Sequence, residues 1–144
     1  MKVSLFVALI ILILFVSCGK SYTTTPQITI QSITPIIPVN GNFTASLKFT
    51  DKQGDLGGGT FVAIRVRTNT QPFPPMDSVS SLITDTIPEF PNHSSGSIEF
   101  TLPAGSFREQ VLRNDSCVMK FQVIDRAGNK SDTVTSALIV ALYE

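Results

Sequence analysis

From Gln27 onward, apolar and polar residues alternate with a period of two, which is the spacing of a β-strand with one buried face. The clearest run covers residues 43–50, where every odd position is apolar and every even position is polar. Similar runs occupy residues 27–34, 60–68, 97–102 and 117–123, and residues 133–143 are apolar on both faces over much of their length. The pattern therefore predicts six or seven strands.

The alternation also predicts which side chains point into the core. In the run over residues 60–68, it turns the β-branched side chains inward and the arginines between them outward. The residues predicted to be buried are Phe43, Leu47, Phe49, Val62, Ile64, Val66, Ile98, Phe100, Leu102, Cys117, Met119, Phe121 and Val123. Those predicted to be exposed are Thr44, Lys48, Arg65, Arg67 and Lys120.

The segments between these runs are rich in turn-forming residues, and they cover residues 51–59, 71–75 and 88–96. Pro35 and Pro38 end the first strand, as suits a strand at a sheet edge. Only residues 104–112 suit a helical turn or two, with Ser106 and Glu109 placed as in a capping box. Strands that do not alternate with helices predict an all-β sandwich.

Length and composition narrow the function. The 144 residues suffice for one domain of ordinary size. Eleven basic and eleven acidic residues cancel, which argues against a nucleic-acid partner. With one His, no Trp, two Cys and no paired-carboxylate or nucleophile motif, the sequence predicts no enzymatic activity and no cofactor of the usual kinds.

The N-terminus predicts the location. One basic residue precedes an apolar run over residues 3–16, which is shorter than the about 20 residues that span a bilayer but has the length of a secretory h-region. The run ends in F-V-S-C-G at residues 15–19, which resembles the lipobox of bacterial lipoproteins. The resemblance implies cleavage between Ser17 and Cys18, so that residues 1–17 are a signal peptide. It also implies fatty acyl chains on Cys18, which would anchor the protein in a bilayer of the cell envelope, expected to be the outer membrane.

The remaining N-terminal residues and the second cysteine fit this interpretation. Residues 18–26 are polar without a period and predict a tether of at most about 30 Å before a domain over residues 27–144. With Cys18 acylated, Cys117 has no partner for an intramolecular disulfide, and its place in a strand suits a small buried hydrophobe. His93, the sole histidine, lies in a predicted loop, so we do not expect a Cys–His dyad.

Two passages resemble motifs of bacterial envelope domains. Residues 49–57, F-T-D-K-Q-G-D-L-G, look like the F-x-D-x-x-G-D-[LI]-G signature of immunoglobulin-like domains in Bacteroidota-type lipoproteins. Residues 125–131, D-R-A-G-N-K-S, look like the D-x-A-G-N-x-S hairpin of many bacterial immunoglobulin-like and cadherin-like domains. The resemblance implies an immunoglobulin-like β-sandwich of about seven strands in the cell envelope. It implies no particular function, because such sandwiches host unrelated functions.

In an immunoglobulin-like topology, the loops that carry these two motifs emerge at the same end of the sandwich. Asp51, Asp55, Asp125 and Asn129 would then offer three carboxylates and one amide, which are oxygen ligands of the type that Ca²⁺ prefers. Fewer than six ligands are evident, and the spacing is not that of an EF-hand. The same residues also suit Asx-turns, with Gly128 in the left-handed region. The sequence leaves both a cation site and a set of polar turns open.

A further pattern concerns glycosylation. Four of the seven aspartates precede Ser or Thr, and three of these pairs continue with an aliphatic residue. The pattern is similar to the Asp-Ser/Thr-aliphatic O-glycosylation motif of this bacterial group, and it marks Ser78, Thr86 and Thr133 as candidate sites. Turn chemistry followed by strand propensity explains the pattern equally well.

Together these features favour a membrane-anchored envelope lipoprotein with a non-catalytic immunoglobulin-like module that binds or spaces an envelope protein or a glycan. One alternative is a carbohydrate-binding accessory protein of a glycan-uptake system, which needs an exposed aromatic platform, and Phe73 and Phe90 are the candidates. The other alternative is an adhesin or pilus-type subunit, which would show an unfilled groove between its sheets or a donated edge strand.

Overall fold

The computed structural model describes residues 24–69, 81–107 and 113–144. Within these three ranges, none of the helical structure is long and apolar enough to cross a membrane. Several predictions concern residues outside the described ranges, namely those on Ser17, Cys18, Phe73, Ser78 and Glu109.

The described residues form nine strands and one short 3₁₀ helix. In chain order the strands are β1 (Gln27–Ile33), β2 (Ile36–Ile37), β3 (Asn42–Thr50), β4 (Thr60–Arg67), β5 (Leu82–Thr86), β6 (Ser95–Pro103), β7 (Asp115–Ile124), β8 (Val134–Thr135) and β9 (Ile139–Ala141). The 3₁₀ helix covers Ala104–Ser106, and its N-cap is Pro103 without a side-chain hydrogen bond. Ser106 therefore lies inside this turn and does not cap it.

The strands form two sheets. One sheet has the order β1-β3-β6, and the other has the order β2-β9-β7-β4-β5, with β8 also paired to β7. All pairs are antiparallel except β2 with β9. The predicted immunoglobulin-like β-sandwich is confirmed. The predicted last strand over residues 133–143 is divided into β8 and β9, and β7 pairs with both.

The core lies between the sheets and is rich in phenylalanine. The odd positions of β3 and of β7 are buried, as the alternation predicts. Phe121 is fully buried, with ring centroids 5.9 Å from Phe61 and 6.0 Å from Phe100. Phe43 extends this packing to Phe107 at 5.2 Å. The inward residues of β6 are only half-buried, because β6 is an edge strand of its sheet.

Strand β4 shows the opposite parity to the prediction. Phe61, Ala63 and Arg65 are buried, whereas Ile64 and Val66 are each 37% exposed. The expected burial of Val62, Ile64 and Val66, with Arg65 exposed, is therefore wrong, and Arg67 is half-buried.

Pairing with β7 explains the parity of β4. Residues directly opposite one another in an antiparallel pair lie on the same face of the sheet. Phe61 pairs with Val123 and Ala63 pairs with Phe121, so the buried row of β7 turns this row of β4 inward. On the solvent face, Lys48 is exposed as predicted, while Thr44 and Lys120 are half-buried.

Candidate functional site

The two sequence motifs meet at one end of the sandwich. The first lies in the connection from β3 to β4, and the second begins directly after β7. Thr60 at the start of β4 pairs with Ile124 at the end of β7, which brings the connections side by side. Asp51, Asp55 and Asp125 thereby lie close together, each with a carboxylate oxygen within 4.8 Å of the others. We call these three residues the acidic apex. The predicted juxtaposition of the two loops is confirmed.

Asp51 is held by a tight turn. Its Oδ1 accepts a hydrogen bond from the backbone N–H of Gln53 at 3.1 Å, and its carbonyl oxygen accepts one from Gly54 at 3.2 Å. Gly54 has a φ of 71°, which the turn requires and which glycine adopts without a steric penalty. The backbone N–H of Asp51 donates to the carbonyl of Ser94 at 2.8 Å. Asp51 is 1% exposed, and the bond to Oδ1 orients its carboxylate.

Asp125 is held by the second turn. Its Oδ1 accepts a hydrogen bond from the backbone N–H of Asn129 at 2.8 Å, and its Oδ2 accepts one from the side-chain amide of the same residue at 2.8 Å. Gly128 has a φ of 88° and its N–H donates to the carbonyl of Asp125 at 3.0 Å. The left-handed conformation predicted for Gly128 is confirmed. Asn129 acts here as a donor that orients Asp125.

Backbone contact joins the two loops. The N–H of Arg126 donates to the carbonyl of Asp55 at 3.3 Å. Gly59 packs so tightly that an added Cβ would lie 2.3 Å from the carbonyl oxygen of Ile124 and 3.2 Å from the Cα of Asp125. Only a residue without a side chain allows this approach. The close approach is therefore what brings the carboxylates of one loop to the carboxylate of the other.

The electrostatics of the apex are dominated by its own negative charges. Burial raises the pKa of the Asp55 carboxyl above its ordinary value, and the charges of Asp125 and Asp51 raise this pKa further. A side-chain hydrogen bond with Asp51 also contributes to the raised pKa of Asp55. As carboxylates, Asp51 and Asp55 each have a buried oxygen, Oδ2 and Oδ1 respectively, that receives no hydrogen bond from another group. Buried polar atoms are normally paired, because an unpaired one loses its hydration without compensation.

A second charged cluster lies at the opposite end of the sandwich, where β4 ends and β7 begins. Arg65 is 5% exposed and its Nη1 donates to the carbonyl of Ser106 at 2.9 Å. Asp115 is 2% exposed and forms an ion pair with Arg67, with 3.2 Å between Oδ2 and Nε. Burial raises the pKa of Asp115, and the charges of Arg67 and Arg65 oppose this rise. The only signal for this cluster in the sequence is two arginines in one predicted strand and one aspartate just before another.

Cys117 and His93 do not form a dyad. Cys117 is a free, buried thiol, as predicted. Burial raises its pKa to about 11, with a further contribution from the charge of Asp115. His93 is exposed in the loop before β6.

The candidate glycosylation sites are on the surface where they are described. Thr86 and Thr133 are exposed. Asp85 and Thr86 lie in β5, where the backbone N–H of Thr86 donates to Oδ1 of Asp85 at 2.8 Å. Glycosylation of these residues stays a prediction.

A groove of about 330 Å³ lies between the edge strands β5 and β6, where one sheet meets the other. Its walls include Phe61, Phe90, Phe100, Asp85 and Glu99. The ring of Phe90 is 5.7 Å from that of Phe49 and packs against the core, so this predicted platform residue is only half-exposed.

Comparison with known proteins gives no family. No family model and no curated protein matches the chain. Among solved structures, the chain is similar to a β-glucosidase from Listeria innocua in complex with glucose, with a TM-score of 0.46 and 9% identity over 83% of this chain and 16% of that chain. The same enzyme in complex with gluconolactone gives a TM-score of 0.46 and 11% identity over 85% of this chain and 16% of that chain. The chain spans 16% of the length of that enzyme's chain, and the similarity is too low to carry any of the enzyme's properties to this protein.

Proposed function

We propose that this protein is a lipid-anchored lipoprotein of the bacterial cell envelope, and that its immunoglobulin-like sandwich is a non-catalytic binding or spacer module. The observation that carries the proposal is the lipobox-like sequence at residues 15–19, followed after a short polar segment by the first strand of the sandwich. Acyl chains on Cys18 would hold the folded domain within about 30 Å of the bilayer, the reach of nine extended residues.

The position where the chain enters the domain supports this proposal. Pro26 is fully buried and Gln27 pairs with Thr50, so the domain is packed from its first strand residue onward. The sandwich then extends away from this end, because residue 141 at the end of β9 pairs with Asp115 at the opposite end of β7. The start of β1 and the end of β9 thus lie at opposite ends of the sandwich, which is compatible with a spacer.

The state of the candidate nucleophile supports a non-catalytic module. A thiol whose pKa is raised to about 11 is almost fully protonated at neutral pH, and the thiolate is the nucleophilic form. His93, the histidine that would activate the Cys117 thiol, is on the surface loop before β6.

The glycan-uptake alternative depends on Phe73 and on Phe90, whose ring packs on Phe49. The adhesin or pilus-type alternative depends on the groove beside β5 and β6.

Replacement of Cys18 tests the anchor. In cells that are fed a clickable fatty acid, the wild-type protein should carry the label and sediment with membranes. Cys18→Ala should lose the label and either leave the membrane or retain its uncleaved signal peptide. The matched control is Cys117→Ala, which removes the other thiol of the chain and should keep both the label and the membrane association. A Cys18→Ala variant that is still labelled and processed like the wild type would overturn the proposal.

A further inference from the structure

We propose that the acidic apex binds a single hard divalent cation, Ca²⁺, between the two loops at the end of the domain where the N-terminal segment enters. This inference goes beyond the envelope role and does not depend on lipidation, because it concerns only residues of the folded domain.

The unpaired buried oxygen of Asp51 is the first argument. Asp51 is only 1% exposed. Its Oδ1 accepts a hydrogen bond from the backbone N–H of Gln53, but its buried Oδ2 accepts none. Oδ1 of Asp55 is likewise buried without a hydrogen bond. Carboxylates that lose hydration are normally compensated by a positive charge or by hydrogen bonds. A cation between the loops supplies the charge.

The distances are the second argument. Ca²⁺ binds oxygen at 2.3–2.6 Å, so opposite ligands of one ion lie roughly 4.6–5.2 Å apart and adjacent ligands lie closer. Oxygens of Asp51, Asp55 and Asp125 all lie within 4.8 Å of one another. These separations are within the span of one shared ion.

The ligand chemistry selects the ion. All three groups are carboxylates, which suit Ca²⁺ and Mg²⁺ better than the nitrogen- and sulfur-seeking Zn²⁺. Calcium accepts six to eight oxygens in flexible geometry, so three carboxylates with water completing the shell are adequate. Magnesium requires near-ideal octahedral geometry and gives up its water reluctantly. We expect an affinity in the range of extracellular modules, about 10⁻⁴–10⁻³ M.

The location gives the site a structural role. Thr50, the residue before Asp51, pairs with Gln27 at the start of β1. Bound Ca²⁺ would join the loop after β3 to the loop after β7 beside this point. The ion would thus stiffen the end of the domain that the N-terminal segment joins.

Thermal unfolding of the full-length chain in detergent, after treatment with EDTA and dialysis, tests the site. Addition of 10 mM CaCl₂, about 10 to 100 times the expected dissociation constant, should raise the Tm by about 5 °C or more, since a ligand bound only by the native state stabilises it. Titration calorimetry with CaCl₂ should show one site per chain. MgCl₂ at the same concentration should give a smaller rise, and NaCl at matched ionic strength should give none.

Two apex variants and one control distinguish the proposed site from charge screening. Asp51→Asn and Asp55→Asn should lose the Ca²⁺-dependent rise, and Asp132→Asn, the same substitution at an exposed residue outside the apex, should keep it. Without Ca²⁺, Asp55→Asn should unfold at or above the wild-type Tm, because the amide removes repulsion. Asp55 is only half-buried, so this variant carries the test if Asp51→Asn does not fold. No wild-type shift, a shift equalled by NaCl, or a shift retained in Asp55→Asn would overturn the proposal.

Discussion

Arg65 offers the most informative single substitution, because it is a buried cation in a row that the alternation assigned to solvent. Replacement by Met keeps an unbranched side chain of similar length and removes the guanidinium. The variant loses the hydrogen bond from Nη1 to the carbonyl of Ser106, which is 2.9 Å long. It also removes one of the two positive charges that act on the buried carboxylate of Asp115.

The expected cost follows from these two losses. A hydrogen bond from a charged donor contributes about 1.5–3 kcal/mol. Removing one partner from a buried charge cluster costs about 3–5 kcal/mol, and the lower end applies here because Arg67 remains 3.2 Å from Asp115. We therefore expect Arg65→Met to lower the free energy of unfolding by about 3 kcal/mol at pH 7. Lys48→Met, the same kind of replacement at an exposed cation, should change it by no more than about 0.5 kcal/mol.

The deficit of Arg65→Met should also depend on pH. An acid whose pKa is raised by folding destabilises the folded state when it is ionised, and this cost disappears as the pH falls below the ordinary value of 3.8. Loss of Arg65 raises the pKa of Asp115 further, so the added cost is present at pH 7 and shrinks toward pH 4. Urea unfolding of the full-length chain at both pH values, followed by circular dichroism, measures the difference. A deficit below about 1 kcal/mol at pH 7, or one that does not narrow in acid, would refute this account of Arg65.

Two further predictions concern the core. Phe121→Ala should lower the free energy of unfolding by about 3–5 kcal/mol in the same urea assay, because its fully buried ring packs between Phe61 and Phe100; a loss below about 1 kcal/mol would contradict this packing. Cys117 should resist a thiol reagent in the native protein at pH 8 and react on unfolding, because burial raises its pKa to about 11. Mass spectrometry after labelling measures the extent of Cys117 modification. Rapid modification in the native protein would contradict the prediction, because it would show that the thiol is accessible.

The sequence predicts an inward row well where only one parity of a strand is apolar. In β3 every intervening residue is polar or charged, in β7 three of the five are, and both strands have the predicted faces inward. In β4 both parities carry apolar side chains, and the alternation of Val and Ile with arginine favours the wrong one. The deciding information is the register against β7, where Ala63 pairs with Phe121. That pairing is a contact between distant parts of the chain, which local periodicity does not contain.

The charged sites likewise differ in whether a local sequence motif marks them. The acidic apex is predictable because each loop carries a motif with Asp and Gly at fixed spacing, and the topology of the fold brings the loops together. The sequence left turns and a cation site as alternatives, and the structure contains both the turns and the carboxylate cluster. The Arg65–Asp115 cluster was missed because its members are fifty positions apart and no local motif connects them.

The parallel pairing of β2 with β9 has a mechanical consequence. Strand β2 is near the N-terminal end of the described sequence and β9 is near its C-terminal end, and the two run side by side in the same direction. The backbone N–H of Val140 donates to the carbonyl of Pro35, and that of Leu142 donates to the carbonyl of Ile37, each at 2.9 Å. A pulling force between residue 24 and residue 144 acts along both strands in opposite directions. It therefore loads these bonds together in shear, and they do not open one after another as in a peeled hairpin. A domain pulled at both ends of its chain can in this way resist tension through the short pairing of β2 with β9.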